Sequence, residues 1–262
     1  MPKDHATNAH VWRFAAPALV VLALLAIWQW YSLVSGVSAA VLPAPTRVAH
    51  SAWLGRADLW HNAIPTLRAA VLGFALAIVV GFVLSVLIDF SRPAKHAVMP
   101  LLIVSQTLPL IVLAPLMVLW FGFGLVPKVL LVALVTFFPI TVSLVQGYAS
   151  GGPGAHDAMV AMGAPRRQEF RYLRLPAALP SLFTGIRIGI TYAVVAAVFA
   201  EYAGATEGLG IYMQVAKNSF RTDLVLAAVL VTSVLTLMLY ALTFALERLV
   251  IPWRRLSVTA QQ

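Results

Sequence analysis

Residues 157–176 read DAMVAMGAPRRQEFRYLRLP, and the reading of this stretch decides the fold. Its front half, Asp157 to Met162, is helix-forming and mostly apolar, and Gly163 is a residue that ends helices in a left-handed turn. Pro165 follows at a favourable first-turn position. The run from Arg166 to Arg174 then reads as a second short, basic, amphipathic helix. It is expected to stop before Pro176, because the residue preceding a proline is pushed out of the helical region. Two short helices set at an angle make a knob. With Arg166, Arg167, Arg171 and Arg174 on it, the knob belongs in water.

What flanks the knob belongs in lipid. Crossing about 30 Å of hydrocarbon takes about 20 mostly apolar residues in a helix. Five uncharged runs meet that length: Phe14–Val34, Ala69–Ile88, Ala97–Trp120, Val129–Ala149 and Leu224–Leu246. A sixth, Ser181–Glu201, carries Arg187 inside it and Glu201 at its end. Six transmembrane helices are therefore expected. The runs are unbroken rather than alternating, which excludes a membrane β-barrel.

The composition agrees. Of 262 residues, 61% are apolar and 10% charged, and the mean hydropathy is +0.90. A soluble domain holds about 45–50% apolar and about 25% charged residues. Soluble-enzyme folds are out. The lack of cysteine removes disulfide scaffolds, thiolate metal sites and cysteine nucleophiles. A net charge of +9 suggests nucleic acid in a soluble protein, but in a membrane chain the basic residues set orientation.

Lysine and arginine place the first segment inside. With that choice the inside segments hold Lys3, Arg13, Arg92, Lys95, Arg166, Arg167, Arg171, Arg174, Arg248, Arg254 and Arg255. The outside segments hold only Arg47, Arg56, Arg68, Lys128, Lys217 and Arg221. Both termini and the knob are then cytoplasmic. The first run, with Trp28, Trp30 and Tyr31 near its far end, is too long for a signal peptide and reads as a retained anchor. Three regions follow: residues 1–60, with an anchor at about 14–34 and an external loop; residues 61–250, with the cytoplasmic loop 150–180; and a cytoplasmic tail, 251–262. Within residues 36–65, a short interfacial helix fits Val48, Ala52, Leu59 and Ile64.

The loop resembles a motif of permease subunits of bacterial ATP-binding-cassette importers. Their pattern is Glu-Ala-Ala, three residues, Gly, nine residues, Ile, any residue, Leu-Pro. Here Asp157-Ala158-Met159, three residues, Gly163, nine residues and Leu173-Arg174-Leu175-Pro176 fit without a gap. Asp replaces Glu, Met the second Ala, and Leu the Ile. The resemblance implies an all-α, six-helix type I importer permease in a bacterial inner membrane. It also implies a coupling loop that docks on an ATPase through Asp157, Ala158, Met159, Met162, Gly163, Arg166, Arg167, Leu173, Leu175 and Pro176. Met159, Met162 and Leu173 are expected to carry most of the docking. Implied partners are two ATPase subunits, a second permease copy, an external solute-binding protein, a small solute and the bilayer, but no nucleic acid. No Gly-x-x-x-x-Gly-Lys-Ser/Thr loop occurs, so ATP and Mg are expected on the partner and no cofactor, metal or catalytic site on this chain.

The run from Ser105-Gln106-Thr107 through Trp120-Phe121-Gly122-Phe123-Gly124, with Glu201-Tyr202, is similar to the nitrate, sulfonate and taurine branch. It sits closest to permeases for thiamine pyrimidine precursors or riboflavin. A neutral heterocycle suits the uncharged spans better than an anion, because Arg187 is the only cation within them. Polar groups inside spans face a pathway or another helix. Ser105, Gln106, Thr107, Pro109, Glu201 and Tyr202 are the pathway candidates. Arg187 is expected to snorkel to the cytoplasmic surface. From a different class, an ion-coupled secondary transporter with Glu201 as coupling carboxylate is the alternative, and a membrane scaffold without transport is the third.

Overall fold

The computed structural model describes residues 4–252, with side chains from Ala15 onward except at Arg92. The charges that set orientation at Lys3, Arg13, Arg92, Arg254 and Arg255, and the tail beyond Pro252, lie outside these described residues. Every regular element among the described residues is helical: α1 (Asp4–Val34), α2 (Pro45–Leu54), α3 (Arg56–Phe90), α4 (Arg92–Thr107), α5 (Leu110–Phe121), α6 (Leu125–Tyr148), α7 (Pro153–Ala161), α8 (Arg166–Glu169), α9 (Leu175–Tyr202), α10 (Leu209–Asn218) and α11 (Thr222–Val250).

Among the described residues, five stretches are long and apolar enough to cross a membrane, and there are six if the bent α4–α5 pair counts as one span. The break falls inside the run Ala97–Trp120, at the first of the two prolines Pro109 and Pro115. Leu108, caught before Pro109, takes an extended conformation at φ −73° and ψ 124°. The chain turns by 102° between the two pieces. Pro115, by contrast, stays within α5.

A difference lies at the knob. The basic helix does not stop before Pro176. A π turn, Phe170–Arg174, joins α8 to α9, with the Leu175 N–H bonded back to Phe170. The wider turn interrupts the regular hydrogen-bond ladder where proline, lacking an N–H, would break it, so the helix continues.

Two compact units are present, one drawn from residues up to Trp60 with Tyr212–Leu230, the other from His61–Ile211 with the residues from Val231 onward. In the first, α2 holds Val48 and Ala52 of the short helix expected after the anchor, with Pro45 in its first turn, whereas Leu59 and Ile64 belong to the long helix α3. Ser51 donates to Asp223 at 2.7 Å, and Arg221 pairs with the same carboxylate at 3.1 Å. That hydrogen-bonded carboxylate holds the Arg221 guanidinium above its usual range.

The second unit contains the main core: Ala69, Phe74 and Ala77 of α3, Val132, Ile140 and Leu144 of α6, and Ile190, Ala193 and Ala197 of α9. Helices α6 and α9 can touch because small residues line their crossing. A Cβ on Gly147 would lie 2.9 Å from Ala178, and one on Gly185 2.8 Å from the Pro139 carbonyl. Without water to drive helices together, such close backbone packing is what holds them.

Candidate functional site

The knob closes on Gly163 as its sequence requires. Met162 ends α7, and Gly163 takes φ +71°. The Gly163 N–H donates to Val160 O at 2.9 Å and the Ala164 N–H to Met159 O at 3.0 Å. This pair of bonds is the glycine helix stop, satisfying two carbonyls that the helix end would orphan. Pro165 sits one residue ahead of α8.

The knob's outer surface comprises Asp157, Ala158, Arg166 and Arg167, all exposed, with Val160 59% and Met162 73% exposed. Met159, Leu173, Leu175 and Pro176 are half-buried. Leu173 lies against Gly151, so it braces the knob from within rather than facing outward. Val160, whose exposure depends on a helix phase that the motif spacing does not supply, stands where Met159 and Leu173 were expected.

Beneath that surface the knob is wired to the long helices. Arg174 is the hub: its Nε reaches Glu169 Oε1 at 2.7 Å and its other arm reaches Asp89 of α3 at 2.7 Å. Glu169, only 7% exposed, also meets His156 Nδ1 of α7 at 2.8 Å. Arg166 donates to the Asp89 carbonyl at 2.8 Å and stacks over Phe90. Phe170 packs between Phe90 and Tyr148, with centroids 5.1 and 5.3 Å away. The tip of the knob is exposed while its base is fixed to α3, α6 and α9. Sequence reasoning missed Asp89, His156 and Glu169. A carboxylate ending an uncharged run, and a lone one among four arginines, were the available signals.

The pathway candidates separate into three kinds. Ser105 and Thr107 donate back to Leu102 O at 2.7 Å and Val104 O at 2.8 Å, so both hydroxyls serve their own helix. Gln106 and Pro109 are exposed at the α4–α5 break. Tyr202 is 40% exposed at the end of α9, whereas Glu201 is fully buried.

Glu201 is a clamp. It accepts from Thr66 Oγ1 at 2.8 Å and from the Gly210 N–H at 2.7 Å. Thr66 in turn accepts from the Leu209 N–H at 2.9 Å, and Asn62 from the Gly208 N–H at 3.0 Å. The carboxylate thus ties the end of α9 and the start of α10 to α3. Thr66 and Asn62 were missed because they precede the apolar run and looked like loop. Arg187 pairs with Glu247 of α11 and lies 4.8 Å from the Phe244 ring centre. Among the described residues, no group of three His, Asp or Glu could hold a metal.

Known proteins share this fold. In solved structures, the chain aligns with an inward-facing MetNI methionine ABC transporter at a TM-score of 0.62 and 21% identity, covering 76% of this chain and 96% of that one. This likeness establishes the fold. The riboflavin transport system permease protein of Chloroflexus aurantiacus is 39% identical, with 92% of each chain covered. The formylaminopyrimidine transport permease protein of Halalkalibacterium halodurans is 37% identical, covering 91% of this chain and 96% of that one. The taurine transport system permease protein of Escherichia coli is 30% identical, covering 92% and 93%. Residues 73–255 match the family described as the binding-protein-dependent transport system inner membrane component. The chain belongs to that family, as an inner-membrane ABC permease subunit whose ATP hydrolysis is done by separate ATPase subunits.

Proposed function

We propose that the chain carries a small, flat, uncharged heterocycle, best represented by a thiamine pyrimidine precursor, from an external binding protein across the inner membrane. Two copies of the permease form the path and two ATPase subunits drive it. A symmetric pair is the economical assembly, because six helices are few to enclose a route. The knob faces the cytoplasm, as do both termini. It docks on the ATPase through Val160 and Met162, with Asp157, Ala158, Arg166 and Arg167 at the rim, while Met159, Leu173, Leu175 and Pro176 support it from below. Gln106, Pro109 and Tyr202 line the route.

The observation that carries the coupling role is the pairing of an exposed apolar tip with a base locked by Arg174, Glu169 and Asp89. A lever must be free where it is pushed and rigid where it transmits. The uncharged route candidates favour a solute without ionised groups over a sulfonate such as taurine.

The test is to copurify the chain with its ATPase and measure ATP-driven uptake in liposomes with the binding protein. ATP-dependent uptake of formylaminopyrimidine is the expected result. Uptake by this chain alone, driven by a proton gradient, would sink the reading in favour of a secondary transporter. Preferential uptake of taurine would reverse the choice of solute.

A further inference from the structure

We infer that the solute's seat on this chain is the cavity between α5 and α9, and that it takes one uncharged aromatic ring rather than a fused three-ring system or an anion. This rests on the importer reading above and adds the site and its size limit.

The cavity measures about 190 Å³ and is lined by Ile111, Ala114, Pro115, Phe199, Tyr202 and Ala203. No charged side chain is among them. A sulfonate group, whether on an anion or on zwitterionic taurine, would leave bulk water and gain no compensating cation, so such solutes are rejected on desolvation alone. A flat ring gains apolar contact there, and Phe199 and Tyr202 meet it as an edge-to-face pair with centroids 6.0 Å apart.

Volume sets the upper bound. An apolar cavity of about 150 Å³ accommodates benzene, and drug-sized ligands occupy about 300–1,000 Å³. One six-membered ring with small substituents fits about 190 Å³; three fused rings do not. The wall is also pre-set. Tyr202 follows Glu201 directly, and the Thr66 and Gly210 bonds to that carboxylate fix the helix end that carries the ring. Little ordering remains when solute arrives.

The test is equilibrium binding to the purified permease–ATPase complex without the binding protein, read by saturation-transfer NMR. The probes are formylaminopyrimidine, riboflavin and taurine. Formylaminopyrimidine should give a signal, taurine none, and riboflavin one at least about tenfold weaker, the scale set by excluding rings that overfill the site. Ile111→Trp fills the mouth from a position 70% exposed, where a larger side chain leaves the core intact, and should abolish the signal. Tyr202→Ala should weaken binding by about 2- to 10-fold, the range for one aromatic pair, and Tyr202→Phe should restore it. Equal binding of riboflavin or taurine, an unaltered Ile111→Trp variant, or no binding by any probe would each overturn the seat. The importer reading stands or falls separately, on ATP-driven uptake by the complete complex with its binding protein.

Discussion

Gly163 and Gly208 flank opposite ends of the continuous α8–α9 helix, whose 37 residues span about 55 Å. Both take positive φ, at +71° and +129°. Their surroundings differ. A Cβ on Gly163 would meet nothing within 4 Å, whereas one on Gly208 would collide with the Glu201 carboxylate. At the knob, glycine sets only the direction of the chain. At the far turn, it also makes room for a buried clamp. The two ends therefore use one residue type for different purposes, and substitutions should separate aim from packing.

The largest effect is expected at the clamp. Gly210→Val would place its Cβ 2.8 Å from the Glu201 Cβ and against the Val198 carbonyl. Overpacking and the lost carboxylate bond together should cost about 3–5 kcal/mol. A thermal unfolding midpoint in detergent within a few degrees of the parent would break the distinction between the ends.

Next comes the base of the knob. Arg174→Met leaves Glu169 and Asp89, with side chains 9% and 12% exposed, without their shared cation. A cost of about 2–4 kcal/mol follows from stranding two shielded carboxylates. Arg174→Lys should fall between, because an ammonium does not fork to two acceptors in fixed geometry. Should Arg174→Met unfold no earlier than the parent, the knob would be shown to stand apart from α3, and the rigid-base argument would fail.

These sites also mark how far the residues alone could be read. Hydropathy was sufficient for the five unbroken spans, because an unbroken apolar run in lipid satisfies its backbone as a helix. The knob's turn was legible because Gly163 acts through its own backbone and two neighbouring hydrogen bonds. The bracing was not. Arg174 and Asp89 are 85 residues apart, and Thr66 and Glu201 are 135 apart. No local periodicity encodes such pairings. Arg187 illustrates the limit: its most economical reading was to snorkel, and only the approach of α11 supplies Glu247. Pro176 shows a local rule overridden by a π turn that tertiary packing tolerates.

Thr66→Val tests the clamp more gently. It keeps the shape of the side chain but removes the hydroxyl that donates to Glu201 and accepts from Leu209. The expected loss is about 1–3 kcal/mol, the cost of leaving buried polar groups unpaired. Thr66→Ser, which retains the hydroxyl, should recover most of it. Equal midpoints for the valine and serine variants would mean that Thr66 matters only for packing.

Gly163→Val should have the smallest effect on stability and yet a large one on transport. A Cβ there meets nothing within 4 Å, and the main cost is the left-handed conformation itself, about 1–2 kcal/mol. The chain can relieve that strain by swinging the loop, because Met162 and its neighbours lie at the surface. Such a swing re-aims Val160 and Met162 while the Arg174 base stays in place. Expression and unfolding midpoint should therefore stay near the parent values, while ATPase association weakens and ATP-driven uptake falls sharply. Gly163→Asn is the decisive control. Asparagine tolerates the left-handed region far better than a β-branched residue, so it should keep the loop aimed and retain most of the uptake. If valine and asparagine behave alike, the turn's geometry is not what couples the knob to its partner; if uptake follows the tolerance for positive φ, it is.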